Sequence, residues 1–398
     1  MRISEVRLAN NIGAHFRALW LVKGKRRVSD TGAEAILAAK GVPVIDPQEI
    51  LSRPYRKNEE ICLPPEPIPY SESLEKKEIP CHRFSRRFSP VVGLSQVQLI
   101  TNSVVRSTLP QAVLDKATDN TVNEDERVKE AILHAHLLDS HQEKLPRIID
   151  VINKPGWVDK LEYGIPLSRK NKTLTYQLLL LLDQIVPEAA ERQLVEDALT
   201  QITLKHSDRL IQMNHRAAFI LSSPTPLPQL LHAEEIKLLE VEPMPDIYPL
   251  SPFINSRAQW NYSLNDRYGV TSGFYHPHTI FIHHNQPRMP HKEDNFCGIS
   301  LLYAFSHAAA YAKEILKIEE GDLEKPVVLQ VVHINRQHYH LGVFQLNTLN
   351  LTGSTKNVFW TQPWEILFGK CCYEAARPVL EGYNPRVFSL LKGLHAQK

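Results

Sequence analysis

Long apolar stretches are missing from this chain. The longest, around Leu178 to Leu182, falls far below the roughly 20 residues a membrane-crossing helix needs, so no spanning segment is expected. Cysteine is scarce, with five among 398 residues, at positions 62, 81, 297, 371 and 372. An odd number leaves at least one unpaired, and the adjacent Cys371 and Cys372 suit neither a ribbon nor a knuckle of zinc ligands; both facts point to a reducing compartment. Glycine is sparse too, 16 in all, which leaves few candidates for phosphate-cradling loops. There is no G-x-S-x-G elbow, no H-E-x-x-H, no G-x-x-x-x-G-K followed by Ser or Thr, and no G-x-G-x-x-G. These are the motifs that local nucleophile, zinc or nucleotide chemistry usually carries, so no enzyme and no cofactor is expected.

What is present suffices for a large core. The chain is 43% hydrophobic and 23% charged, close to ordinary globular proteins, and its length admits two or more domains. The formal net charge is only +2, but it is unevenly placed. Residues 1–29 carry seven cations (Arg2, Arg7, Arg17, Lys23, Lys25, Arg26 and Arg27) against Glu5 alone, leaving 39 basic against 43 acidic residues elsewhere. Ile3, Val6, Ile12, Phe16 and Leu19 trace roughly one helical face through that segment. A basic, acid-poor, amphipathic start has the character of a mitochondrial targeting sequence, although an ordinary helix with a solvated basic face has the same periodicity. Retained on the mature chain, its cations would neutralise phosphates as an RNA-contacting arm.

A short helix is expected over Ala33–Lys40, with Thr31 as N-cap and Gly41 closing it. From Arg53 onward Pro54, Pro64, Pro65, Pro67, Pro69, Pro80 and Pro90 disfavour helix and central strand alike, so residues 30–93 read as an extended arm. Its end, Cys81-His-Arg-Phe-Ser-Arg-Arg-Phe, interleaves Arg83, Arg86 and Arg87 with aromatics, a mixture suited to phosphate contact with base stacking and equally to a solvated charged patch.

The globular part is expected over residues 94–398. Apolar residues alternate loosely between Gln96 and Val105. Thr121–Leu138 reads as a capped helix with an acidic first turn, and Leu174–Val186 and Glu188–Leu204 read as two helices broken at Pro187. Arg216–Ser222 reads as a strand, and Pro224–Pro252, with seven prolines, as a loop-rich stretch wrapping the surface. Cys297–Ile318 is a strong helix candidate ended by Gly321. Pro326–Ile334 and His338–Leu346 form a hairpin pattern whose first run is apolar enough to lie inside a sheet, and Asn384-Pro385 opens a last helix. The fold class is therefore α+β, a mixed sheet with packed helices, preceded by an extended proline-rich N-terminal arm.

Eighteen histidines invite a metal site, yet spacing argues against one. His134 and His136 point about 200° apart on a helix; His338 and His340 share a strand face but lack a third ligand nearby. A spatial triad around Cys297 would need a histidine and an acid, and nothing local supplies them.

Four segments carry a family resemblance: Ile247-Tyr-Pro-Leu-Ser-Pro-Phe-Ile, Tyr275-His-Pro-His-Thr-Ile-Phe-Ile, Glu324-Lys-Pro-Val-Val-Leu-Gln-Val-Val and Val343-Phe-Gln-Leu-Asn-Thr-Leu. In wording, order and spacing they resemble the mitochondrial ribosomal protein family that joins large-subunit protein thirty-seven to the protein historically called small-subunit thirty, and the first branch fits better. Weaker similarity runs through Glu126–His136 and Leu94–Thr101, so the resemblance covers roughly residues 80–398; residues 1–60 match poorly. It implies a structural, non-catalytic component of the mitochondrial large subunit in the matrix. Its partners would be the large-subunit rRNA and neighbouring proteins, above all the sister protein. On that reading RNA contact is expected at Arg17, Lys23, Lys25, Arg26, Arg27, Arg83, Arg86 and Arg87. The competing classes are a soluble mitochondrial enzyme, for which Cys297, His338 and His340 are the residues to mutate, and a non-ribosomal protein-binding adaptor.

Overall fold

The computed structural model describes residues 32–44, 77, 79–85, 88–145, 163–271, 273–285 and 293–398. Residues 1–70 and 71–398 form separate units. Within the first lies the helix α1 (Ala33–Ala39), where Gly32 at φ +64° occupies the N-cap position expected for Thr31, which is outside the described residues.

The second unit runs β1 (Cys81–Ser85), α2 (Gly93–Thr101), β2 (Ser103–Arg106), α3 (Gln111–Lys116), α4 (Val122–Leu133), β3 (Glu143–Lys144), β4 (Tyr163–Gly164), α5 (Leu167–Ile185), β5 (Gln193–His206), β6 (Arg209–Ser223) and α6 (Ala233–Leu239). It continues with β7 (Arg257–Gln259), β8 (His276–His283), α7 (Glu293–Glu314), β9 (Asp322–Asn335), β10 (His338–Thr348), β11 (Asn357–Thr361), β12 (Glu365–Ile366), β13 (Lys370–Glu374), β14 (Arg377–Glu381) and α8 (Pro385–His395). Ten strands make one mixed sheet in the order β2-β11-β10-β9-β8-β6-β1-β7; β5 pairs along the other edge of β6, and β12 pairs with β10. The class is α+β, as the sequence pattern indicated.

Both faces of the sheet are covered at its central strands β9 and β10. On β9 the side chains of Val327, Leu329 and Val331 join α7 and α2 in one core, whereas Val328, Val332 and Ile334 join α4, α5 and α8 in the other. β10 divides likewise, with Phe344 and Leu346 on the α7 side and Tyr339, Leu341 and Val343 opposite. This two-sided burial is why the Pro326–Ile334 run is apolar at nearly every position instead of alternating. Arg336, at φ +57°, turns the chain between the two strands.

Local chemistry fixes the helix ends. Thr121 caps α4: its Oγ1 accepts from the Glu124 amide at 3.3 Å, while the Glu124 carboxylate accepts from the Thr121 amide at 2.9 Å. The helix continues through one π-turn, His134–Leu138. Asn384 caps α8, with Pro385 at its first position. The buried Lys392 ties α8 to α4 through Glu124 at 3.1 Å. The Arg192 guanidinium donates to the His395 carbonyl at 2.6 Å and to that of Gln397, and His278 Nε2 bonds the same Gln397 carbonyl at 3.1 Å.

Two segments differ from expectation. Residues 193–206, read as part of a helix from Leu194, Ala198, Leu199 and Ile202, are the strand β5, paired antiparallel with β6 from Gln193↔Ser222 to His206↔Arg209. The period-2 set Ala198, Thr200, Ile202 and Leu204 is the face that is buried, and Asp197 at φ +51° interrupts the ladder. Tertiary pairing thus overrides a short ambiguous period. The stretch Cys81–Ser85, within the segment expected as an arm, is a sheet strand, parallel to β6 and antiparallel to β7. The prolines stand outside it, so the backbone donors of its five residues remain available to the ladder.

Close approach makes one glycine in α8 irreplaceable. A Cβ on Gly393 would stand 2.5 Å from the Val113 carbonyl oxygen and 3.0 Å from Ala117 Cβ. Gly393→Ala, which helix propensity alone would favour, is therefore expected to destabilise by about 1–3 kcal/mol through overpacking. A raised thermal midpoint for this variant would contradict the α3–α8 packing.

Candidate functional site

The residues that a reactive site would have needed do converge. The buried Cys297 and Ser300 lie on α7, His333 and His340 are cross-strand neighbours on β9 and β10, and Thr361 ends β11. Cys297 Sγ lies 3.2 Å from His340 Nε2, which also meets Thr361 Oγ1. Ser300 Oγ is 2.9 Å from His340 Nδ1 and 2.9 Å from His333 Nδ1, and 3.1 Å from the Phe296 carbonyl. The Phe296 ring stacks on His333 at 3.6 Å between centroids. His338, on the same strand face as His340, is partly exposed and packs against Trp364 instead.

Electrostatics removes the chemistry that proximity suggests. A reactive cysteine–histidine pair needs thiolate beside imidazolium. Here burial, reinforced by Glu293 and Asp294, pushes the Cys297 thiol up to about 12, and burial drives His340 down to about 3. Both partners are neutral at physiological pH. No carboxylate hydrogen-bonds His340 among the described residues, so no acid orients it. The cluster is a polar network that pairs the Ser300 hydroxyl and both ring nitrogens of His340, so that α7 lies on the sheet without stranding them.

The closely spaced histidines 134 and 136 have separate partners, as does His278. His134 bonds Gln177, His136 packs on Phe368, and His278 bonds Thr279 and the Gln397 carbonyl. Among the described residues no group of three or more histidine, cysteine, aspartate or glutamate side chains is arranged to hold a metal ion. The four described cysteines, 81, 297, 371 and 372, are free thiols, and no helix among the described residues is long and apolar enough to cross a membrane.

Of the candidate RNA-contacting cations, Arg17, Lys23, Lys25, Arg26, Arg27, Arg86 and Arg87 lie outside the described residues. Arg83 is on β1, half-buried, directly across from Gln212 on β6 and Arg257 on β7. Its Nε is buried and accepted by no group among the described residues. Arg257 and Arg216, which the sequence reading did not single out, are both exposed. The signal available was charge composition: β1, β6 and β7 together carry Arg83, Arg209, Arg216 and Arg257 and no acidic residue.

No family model matches the chain. Individual proteins do. The chain is 28% identical over 311 residues to the large ribosomal subunit protein mL37 of Rattus norvegicus, which covers 75% of this chain and 69% of that protein. The mL37 proteins of Mus musculus and Gallus gallus are 27% identical over 309 residues and 25% identical over 344 residues; the chicken match covers 82% of this chain and 76% of the relative.

Two outcomes follow from the buried groups. In the native protein Cys297 should resist alkylation at pH 8 while the partly exposed Cys372 reacts, and mass spectrometry of the labelled chain reads the difference; rapid labelling of Cys297 would reverse the conclusion about its thiol. Burial also lowers His215, His278 and His340 to about 3 and His136, His283 and His307 to about 4. The unfolded chain therefore binds more protons below about 6.5, so their contribution is complete above that pH and is lost on acidification towards 4 and 3. Thermal midpoints should fall steeply between pH 6.5 and 4.

Proposed function

The chain is a homologue of the mitochondrial large-subunit ribosomal protein mL37, and we propose that it is a structural component of that subunit which supports mitochondrial translation by contacting rRNA and neighbouring ribosomal proteins. The observation that carries this reading is the extent of the similarity: three quarters of the chain aligns with proteins of one name. The neutral state of the Cys297–His340 pair supports a structural role over the enzymatic alternative, since it withholds the nucleophile that alternative would use.

The basic segment 1–29 would direct import and, where retained, contact RNA through Arg17, Lys23, Lys25, Arg26 and Arg27; Arg83, Arg86 and Arg87 would add contacts from the body. A slightly acidic remainder suits protein neighbours as much as RNA. The family resemblance further implies the sister protein historically called small-subunit thirty as a direct partner. The site of action is the mitochondrial matrix.

Sedimentation of the epitope-tagged protein from lysed mitochondria through a sucrose gradient containing magnesium tests the proposal. Co-migration with large-subunit rRNA, abolished by RNase or by chelating magnesium, is the expected result. A protein found only in the free fraction at the top would overturn it and leave the adaptor reading in its place.

A further inference from the structure

We propose that the sheet face carrying Arg83, Arg257 and Arg216 is an RNA-backbone platform that grips phosphates by its guanidinium groups without reading bases. The inference rests on the ribosomal reading above and specifies where, and by what chemistry, the body of the chain holds RNA.

The face follows from the pairing register. Arg257, Arg83, Gln212 and Thr203 form one cross-strand row over β7, β1, β6 and β5, and Ser85, Asn214 and Gln201 form the next. Arg216 lies on the same side of β6, two alternations beyond Gln212, which is about 13 Å along a strand. The opposite side of these strands is core: Phe84, Ile211 and Met213 pack beneath α7. The segment around Ser263 and Asn265 covers part of the amide row, since the Ser263 carbonyl accepts from Gln212 Nε2 at 2.8 Å and the Asn265 carbonyl from Gln201 Nε2 at 2.7 Å. Arg257 and Arg216 remain exposed, and Arg83, Ser85 and Asn214 half-exposed.

Three features select phosphate as the occupant. Arg83 and Arg257 stand directly opposite each other on antiparallel strands, where like charges repel, about 5 Å apart at Cβ. No ion pair relieves them: among the described residues none of Arg83, Arg257 and Arg216 pairs with a carboxylate, and the three strands that bear them contain none. A bridging phosphate accepting from both guanidinium groups would convert that repulsion into binding, in the fork geometry arginine favours. The platform rows named above hold no aromatic side chain, which takes away base stacking and leaves a backbone contact of the sequence-independent kind.

The test uses the full chain and a fluorescein-labelled oligouridylate, with binding measured across a salt series. Wild type is compared with Arg83→Gln/Arg257→Gln, with the all-exposed pair Arg216→Gln/Arg257→Gln, and with Arg377→Gln on β14 as a basic control away from the face. Each double variant should lower the slope of log affinity against log salt by about 1.4, the loss of two phosphate contacts on a single strand, and the control should leave it unchanged. The exposed pair keeps the test decisive should the half-buried Arg83 be needed for folding, and circular dichroism verifies each variant. Salt-dependent binding with slopes equal in all variants would overturn the platform while leaving the ribosomal reading intact. Absence of binding by wild type would overturn the platform and the proposed RNA contact together. Displacement of the oligouridylate by polyglutamate at matched charge would assign the face to an acidic protein and overturn the RNA inference.

Discussion

The central strands of the sheet are sandwiched between helices, and most of the interior chemistry is a response to that. A strand buried on both faces offers no side on which a polar group can meet water, so each hydroxyl, amide or imidazole it carries must find a protein partner or cost several kcal/mol. Gln345 on β10 accepts from the Leu230 and Leu231 amides and donates to the Leu231 carbonyl and Asn347. Asn357 on β11 does the same with the Asn347 and Thr348 amides and the Thr101 and Thr348 carbonyls. These side chains extend the hydrogen-bonding of the sheet into the loops around it.

The cysteine, serine and histidine cluster beneath α7 belongs to the same solution. Its distances are those of a catalytic constellation, and distance is the criterion by which such sites are often proposed. What separates it from one is desolvation without a compensating charge: the thiol holds its proton, the imidazole carries only one, and each hydrogen bond is between neutral partners. Proximity in a core follows from packing; reactivity requires an environment that stabilises ions.

The sequence made the strongest elements visible because their signals were local. The apolar Cys297–Ile318 period found α7 (Glu293–Glu314), the two β-rich runs found β9 and β10, and Asn384-Pro385 found the start of α8. It failed at β5, where the charged pair Glu196-Asp197, with Asp197 at φ +51°, hid the period-2 face and the determinant of the strand lay in β6. It failed again at β1, whose strand character depends on a partner 129 positions away in register and not on its own five residues. The exposed arginines escaped notice for the related reason that Arg83, Arg216 and Arg257 become neighbours only through pairing. Local propensity, in short, reveals elements that carry their own periodicity and conceals those defined by a neighbour.

The parallel pairings have a temporal meaning as well. β2 lies beside β11, and Asn357 bonds the Thr101 carbonyl 256 residues earlier in the chain. A polypeptide emerging N-terminus first must therefore hold β1 unpaired until β6 is made, and β2 unpaired until β11, late in synthesis. High contact order of this kind slows folding and prolongs the exposure of strand edges. The fold consequently imposes a kinetic demand, independent of its final stability, for protection of its early segments until the last strands arrive.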